Sequence, residues 1–202
     1  MNCGSILFRG NFMKKILTIC LFLLATGAIA GVFFSVNPSL GFSIYNDVYA
    51  DGKKQVRAIT DYGGQLNIEY GLDEGLRMGA VLGLLSMSVA SDLGTTDANL
   101  FFVGLAPSFS FGFLDVIGKI TGEIMFVFMG PTGSLSALGL SGTSNLEGRI
   151  YSGRFDVQFP LSEQFSVGAG LGVRFHDLYI STRNVYVRTL STPIYLNMNY
   201  KF

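Results

Sequence analysis

The feature that most constrains this chain is an alternation of apolar and polar residues with a period of two. It is clearest at the end of the sequence, where every second residue is apolar or aromatic: Ile194, Leu196, Met198, Tyr200 and Phe202. Successive side chains of a β-strand point to opposite faces of the sheet, so this period predicts a strand with one apolar face. We expect this strand to begin near Val187 and to end at the final residue.

Seven earlier segments show the same alternation. The predicted strands cover residues 39–49, 55–72, 76–90, 98–113, 116–129, 147–160 and 164–180, followed by 187–202. The first of them has the weakest pattern, and the alternation in 76–90 is lost near Leu85. Eight segments with a period of two predict an all-β fold.

The connections between these segments alternate in length. Residues 73–75, 114–115 and 161–163 are short, and the first of these, Asp-Glu-Gly, fits a type I turn closed by a left-handed glycine. The opposite connections are longer, above all residues 130–146. Short turns at one end and longer loops at the other are typical of transmembrane β-barrels.

The alternation alone is compatible with two kinds of barrel. A secreted, lipocalin-like barrel has its apolar face inside, whereas a membrane barrel has it outside. In segment 98–113 the face opposite the phenylalanines is small and uncharged, with Gly104, Ala106, Ser108, Ser110 and Gly112. Such a face is a poor soluble exterior, but it fits the narrow lumen of an eight-stranded barrel. We therefore predict an eight-stranded antiparallel up-and-down transmembrane β-barrel with its apolar face in lipid.

The first thirty residues have the features of an overlong start followed by a signal peptide. Lys14 and Lys15 precede an apolar run that ends in an A-x-A site at residues 28–30. The run is short for a membrane anchor, so we expect initiation at Met13, cleavage after residue 30, and a barrel formed by residues 31–202.

Composition excludes several classes of function. The leader contains both cysteines, Cys3 and Cys20, so no disulfide is expected in the exported chain. Charged residues make up 14% of the sequence, against about 25% in typical soluble domains. Removal of the basic leader leaves acidic residues in slight excess, and nothing in the sequence suggests a partner nucleic acid.

The chain resembles small bacterial outer-membrane β-barrels of the OmpA transmembrane domain, OmpX and opacity-protein type. The resemblance is most specific at Met198, Tyr200 and Phe202, which match the family's terminal signal for the outer-membrane assembly machinery. It implies that the last strand pairs with the first and that both termini lie in the periplasm. It also implies a monomer surrounded by outer-membrane lipid and lipopolysaccharide.

The inward faces of the predicted strands carry charges of both signs. These residues are Glu69, Arg77, Lys119, Glu123, Arg154, Asp156 and Arg174. Antiparallel pairing places Lys119 near Asp156 and Glu123 near Arg154, and Arg77 and Glu69 flank the first turn. Because buried charges persist when they are paired, we interpret the set as an ion-pair network that fills the lumen. A gated polar pore, hence a narrow channel for small solutes, is the alternative.

An enzymatic role is the less favoured alternative. Some eight-stranded outer-membrane proteins are lipid A acyltransferases or deacylases with a histidine–serine site, and His176 is the single histidine here. The following residues, Asp177 and Leu178, do not match the deacylase pattern H-x-S. We expect a hydrogen-bonded structural histidine and no enzyme. Phosphate-loop, zinc and calcium motifs are absent from the sequence, so we expect no cofactor and no metal.

The loops are the remaining candidates for binding. Segment 130–146 is uncharged and contains Leu135, Leu138 and Leu140. These leucines either pack on one another in a hairpin above the membrane or form an apolar contact surface for a host molecule, an envelope protein or lipid. On other loops, Lys53, Lys54 and Arg183 are candidates to bind lipopolysaccharide phosphates. We therefore expect a structural or surface-interaction role.

Overall fold

The structure, a computed structural model, describes residues 31–202 except 51–52, 56–57, 73–74, 92, 134 and 139. The side chains of residues 53–55 and 137 are also outside this description. The predicted leader, with its initiator at Met13, precedes the described residues, so its processing stays a prediction.

The described residues form ten β-strands and one short 3-10 helix, Ser136–Leu138. The strands are β1 (Val32–Ala50), β2 (Lys53–Gln55), β3 (Ala58–Gly71), β4 (Leu76–Ser91), β5 (Gly94–Leu105), β6 (Ser108–Phe113), β7 (Val116–Met129), β8 (Glu147–Pro160), β9 (Phe165–Ile180) and β10 (Val185–Lys201). The described residues contain no helix long and apolar enough to cross a membrane.

The strands close into a ring with eight positions. Each strand pairs antiparallel with its neighbour in the order β1, β3, β4, β5 with β6, β7, β8, β9 and β10, and β10 pairs with β1. The short β2 pairs with the C-terminal end of β1. The predicted eight-stranded up-and-down barrel is therefore confirmed.

The fourth position of the ring is divided, although the sequence predicted one continuous strand there. Ala106 and Pro107 separate β5 from β6, because proline has no N–H to donate to the ladder. Two hydrogen bonds keep the pieces in line: the Ala106 amide donates to the Gly79 carbonyl at 2.8 Å, and the Gly122 amide donates to the Pro107 carbonyl at 3.0 Å.

Strand β1 is longer than predicted and contains a β-bulge. Its pairing with β10 shifts register between Ser43 and Tyr45, so Ile44 is the extra residue. Ile44 and Tyr45 are both exposed, and the inward positions of β1 change from odd to even numbers at this point. A change of parity obscures a period of two, which explains the weak pattern of this segment.

The two ends of the barrel differ. We call the end with residues 72–75, 114–115 and 161–164 the turn end; both chain ends of the described barrel, at Gly31 and Phe202, also lie there. The predicted left-handed glycine is confirmed at Gly75, with φ of 81°. We call the opposite end the loop end. There β4 is joined to β5 by residues 92–93 and β9 to β10 by residues 181–184, and both connections are short because these strands extend further than predicted. Segment 130–146 is the long one.

The outer surface of the barrel carries a belt of large apolar side chains, as predicted. The belt includes Phe42, Tyr62, Leu82, Leu105, Phe109, Ile120, Phe126, Phe155, Leu171, Ile194 and Leu196, all of which are exposed. Exposed apolar side chains on every strand of the ring match the lipid-facing surface of a transmembrane barrel.

The interior has two halves, which corrects the expectation of a uniformly polar lumen. On β7, Lys119, Thr121 and Glu123 point inward near the turn end, followed by Met125 and Val127 towards the loop end. The apolar half also contains Val48, Ile59, Leu85, Met87, Leu100, Phe102, Ile150, Leu178, Ile180, Val185 and Val187. The lumen is therefore polar towards the turn end, its lower half, and apolar towards the loop end, its upper half.

Candidate functional site

The polar half of the lumen contains three groups of charges. In the first, the Lys119 ammonium contacts Glu69 Oε2 at 2.7 Å, and Arg77 Nη1 lies 3.7 Å from the same oxygen. Ser108 Oγ donates to Glu69 Oε1 at 3.3 Å. Three strands thus supply partners for one buried carboxylate, as a buried charge requires.

The second group surrounds Arg154. Its Nε lies 3.2 Å from Asp156 Oδ2, and its Nη2 lies 3.8 Å from Glu123 Oε1. Gln65 and Asn67 donate hydrogen bonds to the same Glu123 oxygen, and Asn197 Nδ2 donates to Asp156 Oδ1 at 2.9 Å. Side-chain amides thus donate to one oxygen of each carboxylate, Glu123 Oε1 and Asp156 Oδ1.

The strand register brings the predicted residues together, but the contacts differ in part. Lys119 lies directly opposite Asp156, and Glu123 is one diagonal step from Arg154. Lys119 nevertheless contacts Glu69 on the far side of the barrel, because its long side chain extends across the lumen. The predicted strand pairing therefore placed these residues correctly in the lumen but did not identify every ion-pair partner.

A third cluster joins the predicted Arg174 to Asp61, which the sequence analysis missed. Arg174 Nη1 binds Asp61 Oδ1, and Ser191 Oγ donates to Asp61 Oδ2 at 2.7 Å. Arg174 Nη2 donates to the Tyr195 hydroxyl at 3.0 Å. Asp61 belongs to the odd-numbered inward set of β3 with Glu69, so its position in the alternation was a usable signal.

Tyr195 joins the second and third clusters inside the lumen. Its ring lies 5.0 Å from the Arg154 guanidinium carbon and 5.5 Å from that of Arg174, within cation–π range. Ser152 Oγ lies 3.1 Å from the Tyr195 hydroxyl. A fully buried tyrosine between two guanidinium groups occupies the space that a pore would need.

Among the residues that the structure describes, the luminal charges balance. The carboxylates are Asp61, Glu69, Glu123 and Asp156, and the cations are Arg77, Lys119, Arg154 and Arg174. Equal numbers of both signs keep each buried charge near an opposite one.

His176 lies above this network, fully buried on the inward face of β9. Its Nε2 is 3.9 Å from Asp61 Oδ2. Ser191 is also close, but its hydroxyl donates to Asp61 and not to the histidine. A nucleophilic serine needs a hydrogen bond to its histidine, so this arrangement differs from a catalytic triad.

The apolar half is covered by residues 130–146, which we call the cap segment. Leu135 and Leu138 are 0% and 4% exposed within the apolar core, and Leu140 packs against it. Burial of Leu135 and Leu138 corrects the alternative in which they form a contact surface, whereas Leu140 is only partly buried. Leu135 and Leu138 face inward because contact with the apolar side chains of the upper lumen removes their surface from water.

Backbone hydrogen bonds hold the cap segment over the mouth. The Thr132 amide donates to the Ser144 carbonyl at 2.8 Å, and the Leu135 amide donates to the Gly142 carbonyl at 3.0 Å. Gly133 N donates to the Asp97 carbonyl at 2.7 Å, which attaches the segment to β5. The cap segment is therefore a folded part of the barrel.

The basic loop candidates lie at the loop end. Arg183 is beside Gly142 of the cap segment. Lys53 and Lys54 lie in β2, and their side chains are outside the described residues. Two further basic residues are exposed near this end, Arg149 and Arg188, and Arg188 Nε donates to Asp177 Oδ1 at 2.8 Å.

At the turn end, the predicted signal residues Met198, Tyr200 and Phe202 lie on the lipid-facing side. The Phe202 ring is 4.8 Å from that of Tyr200 and 5.3 Å from that of Phe34 in β1. Met198 is exposed on the same face. The structure thus places these residues where the first and last strands meet.

The barrel and its filled lumen define a class: a small up-and-down β-barrel of the outer-membrane type. Its fold is similar to Neisserial surface protein A, with 12% identity, a TM-score of 0.55, and coverage of 84% of this chain and 97% of that one. It is also similar to OprG from Pseudomonas aeruginosa, with 14% identity, a TM-score of 0.53, and coverage of 86% and 96%.

A third similar structure is a major outer membrane protein from Thermus thermophilus, with 14% identity and a TM-score of 0.50. The match covers 85% of this chain and 99% of that chain. No protein-family model matches the sequence, and no curated protein matches it. These similarities confirm, at the level of fold, the resemblance to small outer-membrane barrels.

Proposed function

We propose that this chain is an integral protein of the bacterial outer membrane with a structural or surface-interaction role. The fold and the exposed apolar belt support the location, because such a belt is stable only when lipid covers it. In this orientation the turn end and both termini of the mature chain face the periplasm, and the cap segment faces outward. The protein is exported by its signal peptide and functions as a monomer.

The observation that carries this proposal is the closed lumen. Paired charges fill its lower half, and apolar side chains fill its upper half beneath the cap segment. A conducting pore needs a continuous wet path, whereas here a solute would have to separate buried ion pairs and also displace packed leucines. We therefore favour a barrel that acts through its surface over a channel for small solutes.

The loop end is the surface available for such a role. With its leucines buried, the cap segment exposes mainly small and polar residues: Pro131, Gly133, Ser141, Gly142, Thr143 and Asn145. The basic residues Lys53, Lys54, Arg149, Arg183 and Arg188 near this end are candidates to contact lipopolysaccharide phosphates. A host or envelope protein would meet a polar surface here.

The enzyme alternative is less favoured because His176 and Ser191 are enclosed. Both are at most 1% exposed, so a lipid A acyl chain has no visible route to them. The expected result is that His176→Ala leaves the lipid A mass spectrum of the cells unchanged. A difference in acylation between variant and wild-type cells would support the enzyme.

Location is tested by membrane fractionation combined with heat-modifiable gel migration. A folded barrel in the outer-membrane fraction that migrates differently after boiling supports the proposal, whereas mature chain in the soluble periplasm contradicts it. The closed lumen is tested by liposome swelling with small sugars. Swelling no faster than that of empty liposomes is expected, and rapid swelling favours the channel.

A further inference from the structure

A second feature of the barrel lies at its turn end, below the charge network. A cavity of about 300 Å³ opens there between the β8–β9 turn and the ends of β1 and β10. Its polar lining includes Arg77, Gln158, Glu163, Ser166, Asn199 and Lys201. The proposed structural role does not use this cavity.

Two hydrogen-bond donors in this cavity are buried without a protein partner. Gln158 and Asn199 are 3% and 6% exposed, and their amide nitrogens make no hydrogen bond to any described residue. Ser166 Oγ donates to the Gln158 oxygen at 3.5 Å, so the nitrogen end of that amide is left for another partner. Buried N–H donors nearly always have an acceptor, which indicates that something supplies one here.

A fixed cation lies in the same lining. The Arg77 guanidinium is held 3.5 Å above the Phe33 ring, and its contact with Glu69 involves one nitrogen at 3.7 Å. Glu69 is also bound by Lys119 at 2.7 Å, so two cations share this carboxylate. A guanidinium has five N–H donors, and most of those of Arg77 are not used by Glu69.

We propose that this cavity binds a small oxyanion group, a carboxylate or a phosphate, that enters from the turn end. Gln158 and Asn199 donate neutral hydrogen bonds to its oxygens, while Arg77 and Lys201 supply positive charge. Guanidinium and amide donors together match the several acceptor positions of an oxyanion. Glu163 in the lining repels the anion and so lowers the affinity. Removal of its charge is therefore expected to strengthen binding.

The binding test uses the nitrogen-15-labelled barrel in detergent micelles. The side-chain amide resonances of Gln158 and Asn199 are followed while sodium phosphate or sodium acetate is added, with sodium chloride at equal ionic strength as the reference. Saturable shifts with either oxyanion support the site. The anion whose shifts saturate at the lower concentration is the preferred group. Linear shifts, or the same shifts with chloride, mean that the cavity holds only water and overturn the proposal.

Variants test the assignment of charges. Arg77→Gln is expected to weaken binding roughly tenfold, since a hydrogen bond to a charged group is lost. Glu163→Gln should strengthen it, and Arg188→Gln at the opposite end should change nothing. If Arg77→Gln disturbs folding, the exposed Lys201→Gln is the second test of lost charge. Equal affinity in all variants, or weaker binding in Glu163→Gln, contradicts the site.

Discussion

The backbone amide of Phe202 donates a hydrogen bond to the carbonyl oxygen of Val32 at 3.0 Å. This bond lies beyond the last residue of β10 and completes its pairing with β1. Closure removes the two sheet edges that would otherwise be exposed to lipid. The final residue of the chain is therefore part of the seam of the barrel.

Phe202→Lys is predicted to reduce the amount of folded barrel in cells far more than it reduces the stability of the finished barrel. Near the membrane interface a charged substitution on the lipid face costs only about 0–1 kcal/mol. A chain that the outer-membrane assembly machinery does not recognise, in contrast, keeps exposed strand edges and is open to proteolysis. Cellular levels of heat-modifiable protein are compared with the urea midpoint of refolded protein. A parallel fall of both would make Phe202 an ordinary interfacial anchor.

Lys119→Met is predicted to destabilise the barrel by about 3–5 kcal/mol, because it leaves Glu69 buried with a weaker partner. The double variant with Glu69→Gln should recover much of this loss, since the uncompensated charge is then absent. Urea unfolding in detergent measures both, and Lys201→Gln on the exposed rim is the control, expected within about 0.5 kcal/mol of wild type. Additive losses in the double variant would show that the two residues are not coupled.

Gly75→Ala is predicted to cost about 1–3 kcal/mol, because its φ of 81° disfavours any side chain. A Cβ at this position would also collide with the Ser110 carbonyl oxygen. Gly112 is a matched control in the same end of the barrel, where a Cβ would meet nothing within 4 Å. The midpoints of urea unfolding should separate the two variants. Similar midpoints would mean that the turn relaxes around alanine.

Leu135→Ala is predicted to open the cap segment. Truncation of a buried leucine costs about 2–5 kcal/mol, and here that loss falls on a segment held by few hydrogen bonds. Cleavage within 130–146 by proteinase K should become at least about tenfold faster than in wild type. Leu140→Ala is the control, because Leu140 is only partly buried and should have a smaller effect. Equal cleavage of both variants would place the cap outside the core.

The strands and their faces followed from the alternation, because period two is a direct consequence of strand geometry. The luminal charges followed for the same reason: Glu69 and Arg154 lie on inward positions that the pattern defines. The pairing of the last strand with the first was implied by the resemblance to small outer-membrane barrels. The alternation failed where a backbone irregularity changes parity, as at Ile44, or removes a ladder donor, as at Pro107. Single residues that interrupt a pattern carry too little signal to place such features.

The apolar upper lumen was missed for a different reason. From Ile124 to Met129 both faces of the strand are apolar, so no alternation of apolar and polar residues draws attention to the inward Met125 and Val127. The loss of pattern near Leu85 has the same origin, since Leu85, Met87 and Val89 all point into this core. Burial of Leu135 depends on contacts with these distant residues, which local pattern does not contain.

The central claim is that the lumen is closed, and the most direct test is planar-bilayer recording from the purified wild-type barrel. A general porin reconstituted in the same bilayers shows that insertion and recording work. The structure predicts that the wild-type protein inserts and produces little or no steady current, because paired charges and the cap segment block both halves of the lumen. Steady, high-conductance openings from the wild-type protein would contradict this account and establish a channel.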